Sequence, residues 1–367
     1  MQEAEGELFR ISQQNIRNEA VQINPIIKEA RELLERAANR KEGLSGLPTG
    51  FADLDKITSG WQNSDLVIIA ARPAMGKTAF VLSMARNMAV TFKVPVAMFS
   101  LEMSNVQLVN RLIVNVCELP GEKIKSGRLE KYEWEQLEYK IKDLYDAPIY
   151  VDDTPSLSIF ELRTKARRLV REHKIQCIFI DYLQLMNASG MNFGSREQEV
   201  STISRSLKGL AKELNIPIIA LSQLNRNVES RGGGSTDNKL EAKKPQLSDL
   251  RESGAIEQDA DMVCFIHRPE YYRIFEDPNT GNDLRGVAQI IVAKHRNGAT
   301  DDVQLYFAQD YTMFVNTRQE YERLNAKASN EDSTMMPSKT NKRKPKADSY
   351  AKTEPPQYSE SFSDTPF

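Results

Sequence analysis

Between residues 47 and about 316 the chain switches repeatedly between two hydrophobic periods. Short apolar runs at 66–70, 95–100, 148–151, 177–180, 216–221, 262–266, 288–293 and 303–307 have the length and β-branched content of buried strands. Longer stretches with apolar positions three and four apart separate them. These are 105–117, 131–145 with Trp134, Leu137, Ile141 and Leu144 on one face, 159–173, and 198–214 with Val200, Ile203, Leu207, Leu210 and Leu214 on the buried side. Strand and helix in alternation predict the α/β class, with a mostly parallel wound sheet flanked by helices.

Three stretches fall outside this rhythm. Residues 25–40 read as an amphipathic helix opened by Pro25, with Ile26, Ala30, Leu33 and Ala37 on one face and Lys28, Glu29, Arg31, Glu32 and Glu35 on the other. That stripe packs on its own domain or on a partner subunit, and most such stripes find a local core. Residues 231–244 hold a Gly-Gly-Gly-Ser run and polar residues that predict a mobile, coreless loop. Beyond about Leu324 periodicity ends, and a Ser-, Lys- and Pro-rich tail with a Lys/Arg cluster at 339–346 predicts disorder. The expected organisation is therefore 1–45 for a polar segment and linker helix, 46–320 for the α/β domain, and 321–367 for the tail.

Composition narrows the function. A net charge of -2 gives no global basic field, so any nucleic-acid contact must come from local loops or from an assembly that concentrates them. Cys117, Cys177 and Cys264 lie far apart in apolar runs and read as buried free thiols in a reducing compartment. No leader and no bilayer-length apolar run is visible, which predicts a cytoplasmic chain without a membrane partner.

The candidate chemistry begins at the first strand. Its run ends in a loop, Arg72-Pro73-Ala74-Met75-Gly76, followed by Lys77-Thr78-Ala79 at a helix start. In this context loop N–H groups face phosphates, Lys77 supplies a point charge, and Thr78 offers a hydroxyl to Mg²⁺. One position departs from the usual loop pattern, because Ala71 stands where Gly normally opens it. Ligands of a wound sheet collect at the carboxyl ends of its strands. That rule selects Glu102 to activate water, Asp181 to support the metal, and Gln223 to sense the γ-phosphate. Lys294 and Arg296 share one face of an extended chain before a turn at Asn297-Gly298. They suit a finger reaching a neighbour's nucleotide, and equally a solubilising edge. Arg251 and Gly254 suit a phosphodiester backbone, with a solvated turn as the plainer alternative.

Several motifs then occur in order: ARPAMGKTAF at 71–80, SLEMS at 100–104, IDYLQLM at 180–186, REQEVSTISRSLKGLAKEL at 196–214, LSQLNR at 221–226, LSDLRESGAIEQDAD at 247–261 and KHRNG at 294–298. Together they resemble the motor domain of DnaB-type replicative DNA helicases over roughly residues 20–316, and Ala71 is itself characteristic of that family. The resemblance implies a RecA-like P-loop NTPase fold and a homo-hexameric ring that hydrolyses ATP with Mg²⁺. Such a ring moves 5′ to 3′ on single-stranded DNA and unwinds the duplex at the replication fork. It implies that Lys77, Thr78, Glu102, Asp181 and Gln223 serve one nucleotide while Lys294 and Arg296 act on the adjacent subunit's. Arg231, Lys243, Lys244, Arg251, Glu252 and Gly254 would face DNA in the channel, and the helix at 25–40 would dock on a neighbour. Family members open with a helical collar to which primase binding and loader-dependent assembly are largely assigned. Only the end of the linker precedes the motor here, so primase and helicase loader stay open as partners. A RecA-like recombinase and an ATP-gated assembly module are the competing readings.

Overall fold

The computed structural model of the chain describes residues 22–39, 43–188, 193–225, 231 and 239–334. It divides into residues 1–328, treated next, and residues 329–367, of which the described part is the end of the last helix.

Nine strands form one sheet in the order β3-β2-β4-β5-β1-β6-β7-β8-β9. They are β1 Leu66–Ala71, β2 Val96–Ser100, β3 Ile149–Asp152, β4 Cys177–Asp181, β5 Ile218–Gln223, β6 Met262–His267, β7 Val287–His295, β8 Asp302–Ala308 and β9 Met313–Val315. All pairs from β3 across to β6 are parallel, and those from β6 to β9 antiparallel. The difference is written in the residues. β1 is buried at all six positions, as a strand covered on both faces must be, whereas β8 exposes Asp302 and Gln304 and buries Val303 and Leu305.

Successive β1 side chains face opposite ways, so this strand feeds two cores. Val67, Ile69 and Ala71 join Phe80, Met84 and Phe314 on one side, while Leu66, Ile68 and Ala70 join Leu207, Leu210 and Ile256 on the other. Helix Lys77–Arg86 covers the first face and helix Arg196–Leu214 the second. Because β1, β2, β4, β5 and β6 run the same way, Ala71, Ser100, Asp181, Gln223 and His267 end on one rim.

Some expectations need correction. The helix expected over 131–145 is two pieces, Lys131–Lys140 and Lys142–Tyr145, and Trp134 on it is exposed. Its buried residue is Glu133, which accepts from Lys123 Nζ at 2.6 Å and from Glu130 N–H at 2.7 Å; a paired acid displaces the aromatic from the inner face. The stretch 231–244 is not coreless throughout: Lys239–Ala242 forms a helical turn whose Leu240 packs on Leu284 and Val287. The border expected between 320 and 321 falls inside helix Arg318–Thr334, held by buried Leu324 and by Tyr321, so residues 321–334 are not a disordered tail. Residues 335–367 lie outside the described residues. Helix Ile23–Asn39 leaves Ile23, Ile26 and Ile27 exposed, so this part of its apolar stripe meets no core of its own chain. The three cysteines are buried and free; burial pushes the Cys117 thiol up to about 11 and the Cys264 thiol up to about 12. Among the described residues no helix is long and apolar enough to cross a membrane.

Candidate nucleotide site

The site is built from the end of β1 outwards. Its loop closes with Met75 N–H donating to the Arg72 carbonyl at 3.3 Å and enters helix Lys77–Arg86 through Phe80 N–H to the Gly76 carbonyl at 2.8 Å. Gly76 sits at φ +95°, and a Cβ there would stand 3.2 Å from the Phe314 ring, so both conformation and space demand glycine. Among the described residues no side chain caps this helix, which leaves its first N–H groups facing the loop.

Lys77 lies over the loop and donates from Nζ to the Ala71 carbonyl at 3.1 Å. Next to it, Thr78 Oγ1 donates to Asp181 Oδ2 at 2.7 Å, joining the loop to the end of β4. Asp181 is buried, and that burial, with Glu102 nearby, holds its carboxyl above the ordinary range against the opposing Thr78 hydrogen bond. Burial likewise lowers the Lys77 ammonium, while Asp181 and Glu102 oppose the change. Glu102 is exposed, two residues past the end of β2; its turn is pinned by Leu101 N–H to the Asp181 carbonyl at 2.7 Å and Met103 N–H to Ser100 Oγ at 3.1 Å. Gln223 pairs with Ala71 at the end of β5 and is exposed. Arg72 is buried and donates to the Leu224 carbonyl at 2.7 Å, which fixes the loop to the chain after Gln223.

This arrangement can hold a triphosphate against main-chain N–H groups and a lysine. The Thr78 hydroxyl and an Asp181 oxygen are hard donors side by side, fit for Mg²⁺. Among the described residues no group of three or more acidic, His or Cys side chains is placed to hold a metal ion. A dedicated all-protein cage is therefore missing from them, as expected for a cation that takes one or two protein oxygens and completes its shell with phosphate and water.

Comparison with known proteins agrees with this geometry. The model of the DnaB-like helicase C terminal domain matches residues 46–316. The chain belongs to that family. It is 43% identical over 322 residues to the replicative DNA helicase DnaB of Geobacillus stearothermophilus, covering 88% of this chain and 68% of that one. It is 41% identical over 322 residues to the replicative DNA helicase DnaC of Bacillus subtilis (strain 168), with the same two shares, 88% and 68%. Among solved structures, an isolated ATPase domain superposes with TM-score 0.72 at 36% identity, covering 82% of this chain and 100% of that one. A DnaB-like replicative helicase, described with its interactions with primase, superposes with TM-score 0.69 at 36% identity over 87% of this chain and 72% of that one. A RecA-like fold and nucleotide use follow from the match.

One feature of this DnaB-like domain escaped the sequence reading. Arg268, buried just beyond β6, stacks its guanidinium 4.1 Å from the Phe307 ring centre and reaches the Ala74 carbonyl of the loop at 3.5 Å. The strand-end rule that selected Glu102, Asp181 and Gln223 points to it as well, since β6 ends on the same rim. Lys294 and Arg296, by contrast, lie at the other end of the sheet. β7 runs antiparallel to β6, so Lys294 is level with Val263 and close to where β1 begins, about 15–20 Å from the phosphate loop. There Lys294 Nζ donates to the Glu257 carbonyl and, at 2.8 Å, to that of Ala260, and Arg296 donates to Asp261 at 3.3 Å and to the Gln258 carbonyl. The structure does not bring these cations to the nucleotide site of their own chain.

The residues expected to face DNA are less bare than their composition implies. Arg231 pairs with Asp249, Lys244 pairs with Glu241 at 2.9 Å and Asp302 at 3.3 Å, and Lys243 lies 5.7 Å from the Tyr272 ring centre. Arg251 and Glu252 lie on the turn Leu247–Ser253, and Gly254 opens helix Gly254–Asp259; the side chains of 251–254 lie outside the described residues.

Proposed function

We propose that this chain is the motor of an ATP-dependent replicative DNA helicase that works as a hexameric ring, moving 5′ to 3′ on single-stranded DNA in the cytoplasm. One observation carries the reading: Thr78 and Asp181 meet beneath the phosphate loop while Lys294 and Arg296 stand at the opposite rim. A site that has its lysine, hydroxyl and carboxylate but, among the described residues, no finger cation, in a chain that holds two cations at the opposite rim, is finished by a second copy set head to tail.

In that ring Lys77 grips the β- and γ-phosphates, and Thr78 and Asp181 would hold Mg²⁺, which when bound would supply positive charge against the phosphates. Glu102 orients the attacking water and takes its proton, and Gln223 hydrogen-bonds the γ-phosphate. Lys294 and Arg296 of each subunit leave their own carbonyls to reach the neighbour's phosphate. Arg268, stacked on Phe307, braces the phosphate loop at Ala74. The exposed isoleucines of helix Ile23–Asn39 support its docking on an adjacent subunit. Arg231, Lys243, Lys244, Arg251, Glu252 and Gly254 face DNA in the channel, where a few groups per chain are multiplied around one strand. Primase enters as a partner through the structural relative described with it.

A forked duplex tests the reading. The purified chain with ATP should displace the strand when the tail for loading is 5′ and fail when it is 3′. Lys77→Ala should bind ATP weakly and unwind nothing. Unwinding by Lys77→Ala, or strand exchange without displacement by the unaltered chain, would sink the assignment.

A further inference from the structure

β4 and β5 stay paired only as far as Ile180 with Ala220. There β4 turns off through Asp181 into the 3₁₀ turn Leu183–Leu185, while β5 continues through Ser222 and Gln223. On its other side β5 remains tied to β1, with Gln223 level with Ala71 and Leu224 N–H donating to the Ala71 carbonyl at 3.1 Å. Toward β4 the last residue of β5 has outrun its ladder, and the side chain of Gln184 takes the vacated place. Its Oε1 accepts from Gln223 N–H at 3.3 Å, and its Nε2 donates to the Gln223 carbonyl at 3.3 Å and to Ser222 Oγ at 2.9 Å.

A primary amide carries donor and acceptor side by side, so it can stand in for a peptide group. Leucine would have the size without the chemistry. Gln184 is itself anchored: Arg196 donates to its carbonyl at 2.7 Å and to the Met186 carbonyl at 2.8 Å, and Arg196 opens the helix that covers the second core. An open cavity of about 470 Å³ beside the clamp is lined by Gln184, Arg196, Gln223, Asn225 and Asp249. It separates the clamp from the turn Leu247–Ser253.

We infer that Gln184 is a positioning residue for ATP hydrolysis, splicing the main chain of Gln223 to the strand that carries Asp181. The sensing amide and the metal-supporting carboxylate are thereby held at one spacing, and movement of either is carried to the other. The inference rests on the reading of Gln223 as the γ-phosphate sensor.

The test is a double-mutant cycle on DNA-stimulated ATP turnover by the whole chain, using Gln184→Leu, Gln223→Ala and the pair. Gln184→Leu removes two hydrogen bonds to Gln223 and one to Ser222, and should lower kcat about tenfold while leaving the KM for ATP within about twofold. Gln184→Glu, which keeps only the acceptor, should fall between the two, and it carries the test should the leucine variant fail to fold. The double variant should be no slower than Gln223→Ala alone, because one residue acts through the other. A normal kcat for Gln184→Leu, an effect on KM alone, or multiplied losses in the pair would each overturn the positioning role. Should Gln223→Ala itself turn over normally, the sensor reading falls and this inference with it.

Discussion

Thr78 and Asp181 lie 103 positions apart in the chain, yet a hydroxyl and a buried carboxylate end up 2.7 Å from each other. An ionised carboxylate in that position costs stability, because burial raises its pKa and the fold must hold the charged form at neutral pH. The sign follows: the penalty is absent at acid pH, grows once pH exceeds the ordinary carboxylate value, and is complete above the raised one. Asp181→Asn, which keeps an acceptor for Thr78, should raise the melting temperature of the nucleotide-free chain at pH 7 by an amount worth about 1 kcal/mol. It should also lower ATP turnover about 10²-fold or more. Thermal melts and phosphate release check the two halves, and a lower melting temperature would contradict the account. If Asp181 supports Mg²⁺ as proposed, protonation competes with the metal at the same oxygen. The Mg²⁺ concentration for half-maximal turnover should therefore climb toward tenfold per pH unit once pH drops below the raised value. Arg268 offers a second probe at this scale. Its guanidinium, stacked on Phe307, reaches the Ala74 carbonyl of the loop, so Arg268→Met should loosen the loop and raise the KM for ATP about tenfold with kcat little changed.

Elements were legible in the sequence in proportion to how much of their own context they carry. Buried parallel strands announce themselves as unbroken apolar runs, which is why β1, β4 and β6 were readable to within a residue or two. β9 was not, since Met313–Val315 is too short for any period and exists through its pairing with β8 and the contact of Phe314 with Gly76 and Phe80. Nor could Glu133 be placed, because an acid goes inside only when a distant partner such as Lys123 meets it. The end of helix Arg318–Thr334 was missed for a similar reason: it is held by charge as much as by apolar contact. Glu118 accepts from Arg323 at 2.9 Å, Lys327 at 3.0 Å and Lys140 at 3.1 Å. Burial alone would raise its pKa; these hydrogen bonds overcome that and lower the value from 4.5 to about 2. A depressed acid stabilises the fold above its unfolded pKa and loses that contribution as pH falls through the folded one. The helix should therefore loosen between about pH 4.5 and 2, seen as protease cleavage between residues 318 and 327 that precedes loss of the sheet. In Glu118→Gln the same cleavage should occur already at pH 7 and show no acid step, at a cost of about 1–3 kcal/mol.

At the scale of the whole molecule, Lys294 and Arg296 stand away from the nucleotide site of their own chain, and the proposed ring is what would give them a phosphate to act on. Both sit on carbonyls at the end of helix Gly254–Asp259, a natural resting place for cations, and burial together with Arg296 pushes the Lys294 ammonium down. Asp261 also accepts from Leu66 N–H at 2.8 Å and pairs with Lys208, so removing Arg296 leaves it satisfied. Arg296→Ala should then cost little stability, about 0.5 kcal/mol for a half-exposed pair, yet lower ATP turnover about 10³-fold through loss of charge on the neighbour's phosphate. Complementation separates this from an ordinary local defect. In rings mixed from Arg296→Ala and Glu102→Gln chains, a site regains both groups when an intact Glu102 faces an intact Arg296 across the interface. Random mixing at equal amounts restores that combination at about a quarter of interfaces, and turnover should recover toward about that fraction of the unaltered chain. If each interface worked within one chain, every site in the mixture would carry one defect or the other, and activity would stay at the average of the two variants. Recovery that appears on mixing, scales with the product of the two fractions and vanishes on dilution to monomers is the signature of a site divided between subunits. A mixture that never exceeds that average would leave the action in trans unsupported, and normal turnover by Arg296→Ala alone would return the cations to the role of a solubilising edge.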